Sequence, residues 1–589
     1  MRKVLMFFSA CLISTVVLSQ DAELEKKVWG IYLADMPSGP VSTMKIWKRL
    51  GKAYETFYEE KETFVPDAAD KERGYVLYKK ASNDEVYPNI VPKKEEIKKG
   101  IGCFGSAGEQ VQMMVLVYPL DDINILKVTS GDLTGPGNKT IPKEKIEINY
   151  VKYDYEPEGL EWRCKAKYVM PSNETFGKKR VPRPFWIMIR IPEDAEGGIY
   201  KGKLTVSTGK KPADFEYSVE VFPFKIENPG DDYYFSAFTY LRSAGPETLE
   251  RYIKELAKRD MNVIHGCGPD IVPGAQIDFA RMEQNASIMK KYGFKKWVIE
   301  MTGLPNAFVD KLKCKYYDAE FNKAYKSMLK QIKDRADQSG WPEIQVMYDE
   351  PREEDSDNPR PLARTYWDME NLLKLHNEVG LATVPVYMGD GGGKRHENPS
   401  LKANYFELCK LSKYNMTHGG GGGSKKIIEE TLKAGNTLYL YNNGFGRFQF
   451  GILPYKLGAK GTLQFWFSSG NTLNTAEQFP TSYAVVALDN GTFIPVLRWL
   501  RSVEGVHDFW YITMLENAIK KSGNKNSPDV IAGQKILNEL KGVTLSESNA
   551  DGRDSENVSL ETLKRFTGEG LDNYRYKIAQ LILKLKKQR

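Results

Sequence analysis

The sequence predicts a multidomain protein: an N-terminal β-sandwich, then a (β/α)8 TIM barrel, then a C-terminal helical extension. Three observations carry this. Short β-rich runs separated by Gly, Pro and Asp turns fill residues 101–230. About eight strand-like and helix-like segments then alternate over residues 231–504, which matches the number and length of a (β/α)8 barrel. Residues 505–589 are helical in pattern and rich in lysine. A doubly wound open sheet is the competing architecture, but no GxGxxG follows its first strand. With 589 residues, 41% of them hydrophobic, the chain is long enough for two to four domains.

The elements follow in order. Residues 1–19 read as a leader: Arg2 and Lys3 precede an apolar run from Val4 to Leu18, and Val17 and Ser19 suit cleavage before Gln20. That run is too short for a membrane span. Export to the periplasm or outside the cell is expected, with lipoprotein anchoring through Cys11 the weaker alternative. Residues 20–100 are charged and are assigned to the β-domain; within them "KKVWGIYLADM" and "GYVLYKK" suit strands. "EQVQMMVLVYPL", "PFWIMIRI", "IYKGKLTVST" and "FEYSVEVFPFKI" are the clearest strands of the sandwich. Gly197-Gly198 between Phe185–Ile191 and Tyr200–Val206 suggests that those two runs pair as a hairpin. Asn228-Pro229-Gly230 makes a linker. The barrel alternation begins at "YYFSAFTYL" and "PETLERYIKELAKRD" and ends at "TLQFWFSS" and "PVLRWLRSVEG". The final helices are expected to pack against the barrel and the β-domain.

Charge and cysteine content narrow the function. The net charge of +7 is spread over 84 basic and 77 acidic residues, a solvated surface rather than a nucleic-acid footprint. The cysteines at 11, 103, 164, 267, 314 and 409 lack CxxC spacing, so neither a disulfide framework nor a zinc site is expected; a single Cys103–Cys164 bridge is left open. Five dispersed histidines without HExxH argue against a catalytic metal, and no cofactor is expected. No segment after the leader reads as a transmembrane helix, and nothing fixes the oligomeric state.

In a barrel the chemistry sits at the carboxyl ends of the strands. The fourth strand, "EIQVMY", runs directly into Asp349 and Glu350, and Pro351 keeps Glu350 from opening a helix. Adjacent carboxylates repel and each favours protonation of the other, which suits a pair with separate tasks. An ordinary acidic loop leading into "REEDSD" is the plain alternative. Other strand ends supply Glu300, Tyr387 with Asp390, Asn442 with Asn443 and Arg447, and Trp466, each of which a satisfied core or loop position would also explain. His418 precedes a run of five glycines that lacks the lysine of a phosphate loop and has no GxSxG partner, so a rim loop is expected there.

"PEDAEGGIYKGKLTV", "YDEP", "NNGFGRFQFGILPYKLGAKGTLQFWF" and "PVLRWLRSVEGVHDFWYITMLE" together resemble glycoside hydrolase family 123 and the domains grouped with it, over roughly residues 100–530. The resemblance implies a sandwich joined to a barrel and an exo-acting β-N-acetylgalactosaminidase of glycolipid glycans, with Asp349 and Glu350 as the catalytic pair. It implies substrate-assisted hydrolysis, in which Asp349 holds the acetamido N–H and Glu350 is the acid and then the base. In that setting Tyr387 would hold the acetamido carbonyl, Trp466 would wall the sugar, and Glu300, Asn442 and Arg447 would bind substrate. Two readings compete: a retaining glycosidase with Glu300 as nucleophile, and a non-catalytic carbohydrate-binding surface protein. The partner expected in every case is a glycan or glycoconjugate, with no nucleic acid.

Overall fold

The computed structural model describes residues 62–98, 100–158, 161–241, 245–348, 366–387, 406–419, 422–468, 483–488, 490–545 and 566–588. The leader and "KKVWGIYLADM" lie outside them.

Two sheets make the N-terminal region. One carries, in order, Tyr75–Lys80, Gln110–Pro119, Arg183–Arg190, Ile146–Glu158 and Glu161–Val169. The other runs Ile101–Ala107, Ala213–Lys225, Gly198–Ser207, Ile123–Ser130 and Glu174–Gly177, with two short strands beside it. Their facing side chains share one core: Val111, Val115, Phe185 and Ile187 from the first meet Leu126, Tyr200, Leu204 and Val219 from the second. The alternate residues of Gln110–Pro119 and Arg183–Arg190, among them Met114, Leu116, Trp186 and Met188, are buried on the opposite face against the rest of the molecule. A strand covered on both faces has no polar side to show, so these segments read as unbroken apolar runs.

The expected hairpin between Phe185–Ile191 and Tyr200–Val206 does not form. Arg183–Arg190 pairs with Gln110–Pro119 and with residues 146–150 in one sheet, while Gly198–Ser207 pairs with Ala213–Lys225 in the other. The chain changes sheets at Gly197-Gly198, where a Cβ on Gly197 would lie 2.5 Å from Pro223 and Gly198 takes φ +146°. The glycines serve a crossing, not a turn. Neither Cys103 nor Cys164 is in a disulfide, so the bridge left open between them does not form.

Eight parallel strands follow: Tyr234–Ala237, Val263–His265, Lys296–Glu300, Glu343–Tyr348, Thr383–Tyr387, Tyr414–Thr417, Thr437–Tyr441 and Gly461–Gln464, here called barrel strands one to eight. Strand one pairs with strand eight, and a bridge between Leu241 and Gly266 joins strands one and two, leaving a nearly closed, barrel-like sheet. Gly266 permits that seam, because a Cβ there would lie 2.8 Å from the Leu241 nitrogen and its φ is +103°. Between strands lie helices such as Pro246–Lys258, Ala280–Lys291, Ala319–Ser339 and Tyr366–Val379. Their apolar stripes, for example Leu249, Ile253 and Leu256, face the sheet.

Among the described residues three further helices follow, Leu497–Lys521, Pro528–Lys541 and Gly570–Lys587. The first runs straight through Gly505, the point at which the sequence suggests a boundary. A Cβ on Gly505 would lie 2.4 Å from the Arg447 carbonyl oxygen, so that glycine allows two backbones to touch. No helix among the described residues is long and apolar enough to cross a membrane.

Where sandwich, barrel and terminal helices meet, charges are buried. Arg575 Nε lies 2.6 Å from Asp508, and its Nη1 lies 2.6 Å from Glu504 and 3.4 Å from Glu109. Arg447 Nε lies 2.7 Å from Asp508 and its Nη1 2.5 Å from Asp572. His507 bridges Asp260 at 2.9 Å and Glu109 at 3.5 Å, and Arg190 also reaches Asp260. Burial alone would lower the His507 pKa, but hydrogen bonds and charge from Asp260 and Glu109 push it up to about 9. Glu109 is held below the usual range despite burial, chiefly by His507 and Arg575.

A raised histidine pKa contributes stability that is complete below the ordinary 6.5 and is lost as pH rises through about 9. The thermal midpoint is therefore expected to fall as pH is raised from 7 to 10. His507→Leu should lose most of that alkaline dependence and cost about 3 kcal/mol near neutrality, because it strands two buried carboxylates. An unchanged pH profile in the variant would contradict this.

Candidate functional site

Side chains alternate across each parallel strand, so one set faces the barrel interior. That set includes Tyr234 and Phe238, Val263, Val298, Met347, Val384 and Val386, Tyr414 and Met416, Tyr439 and Tyr441, and Leu463. The floor, at the amino ends, is shut. Tyr234 stacks on Tyr439 at 4.2 Å between centroids, and Tyr439 on Tyr414 at 5.9 Å. Beside them Lys296 pairs with Glu343 at 2.8 Å, and the Tyr414 hydroxyl donates to the same carboxylate at 2.7 Å.

The mouth, at the carboxyl ends, is lined with aromatic rings. His265 meets Phe238 and Tyr240 edge to face, each at 4.9 Å. Tyr240 meets Phe465 at 5.6 Å, and Phe465 meets Trp466 at 4.6 Å. Phe238 also touches Tyr441 at 6.4 Å, and His418 lies edge-on to Tyr441 at 4.3 Å. Tyr240 keeps 40% of its surface exposed, so the wall is open to solvent. Rings of this kind offer flat apolar faces with polar edges.

Local backbone chemistry sets that wall. Asn442 takes φ +53°, a left-handed conformation that asparagine tolerates. Its side-chain oxygen accepts the Phe465 N–H at 2.9 Å, which ties the end of strand seven to the start of the Phe465-Trp466 segment. Asn443 accepts the Gly419 N–H at 2.6 Å and donates to the Tyr441 carbonyl at 3.0 Å, linking the His418 loop to strand seven.

Behind strand four runs a second buried polar chain. His376 Nδ1 donates to the Leu381 carbonyl at 3.2 Å, so its Nε2 accepts the Tyr348 hydroxyl at 2.7 Å, and the Tyr325 hydroxyl lies 2.8 Å from that of Tyr348. Burial pulls His376 down to about 3, which keeps it a neutral acceptor. These groups anchor the last described residue of strand four.

The expected site residues separate into three groups. Glu300, two positions beyond the interior-facing Val298, stands at the mouth with Asn442 and Trp466. Tyr387 and Arg447 do not join them. Val384 and Val386 take the interior positions of strand five, so Tyr387 points into the helix layer, where it is buried in the same core as Cys409. The Arg447 guanidinium is committed to Asp508 and Asp572. Asp349, Glu350 and Asp390 lie outside the described residues. Sequence reasoning passed over Tyr240, His265 and Tyr441; the signal was present, since each follows an interior apolar position at a spacing of two. Among the described residues no group of three His, Cys, Asp or Glu side chains is placed to hold a metal ion.

Residues 81–208 match the glycoside hydrolase 123 N-terminal domain, so the resemblance read from the sequence is borne out for that region. The fold as a whole is similar to that of a family 123 glycoside hydrolase from Clostridium perfringens, solved in a study of glycolipid glycan hydrolysis. The match has 12% identity and a TM-score of 0.62, and covers 87% of this chain and 100% of that one. Weaker similarity extends to a Thermotoga petrophila endo-β-1,4-mannanase (11% identity, 47% of this chain and 76% of that one, TM-score 0.32). It also extends to a Bacteroides ovatus GH5 xyloglucanase (8% identity, 70% and 99%, TM-score 0.26). No curated protein matches the sequence.

Asn442 makes a sharp test of the wall. Asn442→Ala should cost about 1–2 kcal/mol through the strained φ and the lost bond to Phe465, and should alter the fluorescence of Trp466. Asn442→Gly keeps the backbone conformation and should cost less. Equal melting of both variants would refute the backbone role.

Proposed function

We propose that the protein is an exported glycoside hydrolase that removes a terminal 2-acetamido sugar, β-N-acetylgalactosamine being favoured, from a glycan or glycoconjugate. One observation carries this reading: an open, aromatic-walled mouth lies at the carboxyl ends of eight parallel strands, and the fourth of these leads straight into two consecutive carboxylates. The matched N-terminal domain supports the glycosidase assignment, and residues 1–19 support export.

In the proposed reaction the acetamido carbonyl oxygen attacks the anomeric carbon as the glycosidic C–O bond breaks. Asp349 accepts the amide N–H and compensates the positive charge that develops. Glu350 gives its proton to the leaving oxygen, then takes one from the water that opens the oxazoline, which makes one carboxyl both acid and base. Glu350 must therefore be protonated before the first step, a state that the adjacent charge of Asp349 favours. Trp466 and Tyr240 wall the apolar face of the ring and exclude water. A second reading is favoured by the position of Glu300 at the mouth: a retaining hydrolysis with Glu300 as nucleophile, which requires about 5–5.5 Å between it and the acid and makes the acetamide dispensable.

The mature protein should release 4-nitrophenol from β-GalNAc or β-GlcNAc glycosides and not from β-galactoside or β-glucoside. Glu350→Gln should lower kcat by about a hundredfold or more, and a thiazoline analogue of the oxazoline should inhibit. Turnover of the plain glycosides would instead favour Glu300 as nucleophile. Silence on all four would sink the hydrolase reading for these sugars.

A further inference from the structure

We propose a second sugar-binding position on the rim, a platform of Trp367 with Tyr316 and Tyr317 that takes the pyranose ring on the leaving-group side. It rests on the proposed function above.

Trp367 lies in the first turn of Tyr366–Val379 and is 54% exposed, which is unusual for so large a ring. It is also held. Tyr317 meets it edge to face at 4.7 Å, and Tyr316 lies 6.3 Å further along. The Tyr317 hydroxyl donates to the buried Asp368 at 2.7 Å, and Asn322 Nδ2 donates to the Tyr317 carbonyl at 3.0 Å. Tyr317 itself takes φ +58°, a conformation that persists only where its surroundings over-determine it. The Tyr316 hydroxyl donates to Asn306 at 3.1 Å, and Lys313 and Lys315 are exposed beside it. A rigid flat ring in water, edged by hydroxyl, amide and ammonium groups, suits the alternating apolar faces and hydroxyl edges of a sugar.

Its place in the fold gives the direction. Val379 is followed within a few residues by strand five, and Ser339 by strand four, so both helices end at the floor and start at the mouth. Tyr317 and Trp367 therefore stand on the rim above strands three and four. Trp466 follows strand eight, half-way round the ring. A sugar ring against Trp466 would leave its aglycone to pass toward strand four, the side on which Glu350 must protonate the leaving oxygen and from which the chain continues to Trp367.

The test compares wild type, Trp367→Ala and Trp367→Phe on two substrates with the same terminal sugar: a 2,2,2-trifluoroethyl glycoside, too small to reach the rim, and a trisaccharide. The ratio of kcat/KM, trisaccharide over trifluoroethyl glycoside, should fall about tenfold in Trp367→Ala, mainly through KM, and largely recover in Trp367→Phe. A ratio that does not change overturns the proposal. Calorimetry of the trisaccharide with Glu350→Gln protein separates this from failure of the hydrolase reading. If no sugar is hydrolysed, weaker binding when Trp367→Ala is added still supports the platform. Unchanged binding, or no binding to either protein, overturns it.

Discussion

The buried charges at the junction of sandwich, barrel and terminal helices hold the arrangement of the whole protein. Arg575 sits between Asp508, Glu504 and Glu109, and His507 between Glu109 and Asp260, so one cluster draws on all three regions. Such charges lose much of their hydration, and only close geometry with several partners offsets that loss. Apolar packing alone would let the three regions slide over one another, because burial is non-directional. Paired charges permit one arrangement. Gln112 adds to the same constraint, accepting from Trp186 at 2.6 Å and donating to the Leu500 carbonyl at 3.1 Å.

This junction reaches the mouth through strand seven. Asn442 is tied to the Phe465-Trp466 segment, and five residues later Arg447 is tied to Asp508 and Asp572. Gly505 lets the Arg447 backbone press directly on the long helix Leu497–Lys521. The loop between Asn442 and Arg447 is thus anchored at one end to the aromatic wall and at the other to the charge cluster. Rigidity at the wall is a property of the complete molecule.

Much of the fold was legible, and the failures have physical causes. The barrel strands were readable because long apolar β-runs alternate with amphipathic helices. The hairpin at Gly197-Gly198 was misread because two glycines serve a sheet crossing as well as a turn, and only the burial of Trp186 on the far face tells them apart. Tyr387 failed on parity: strand ends can be located to a residue, but which face the last residue takes depends on register. Arg447 looked like a substrate ligand because it follows a strand end, yet its partners lie 61 and 125 residues away in sequence, beyond any local pattern. Glu300 was legible because Val298, two residues before it, carries the interior pattern, and Trp466 because it closely follows a strand end.

The cluster also imposes an order in time. Arg575 meets Glu109 from 466 positions away, so a carboxylate made early waits for a cation that the ribosome supplies long afterwards. Until then Glu109, Glu504 and Asp508 lack one of the cations that offset their burial. The helix that carries Arg575 closes the cluster, and a chain cut before it leaves those three carboxylates without that partner.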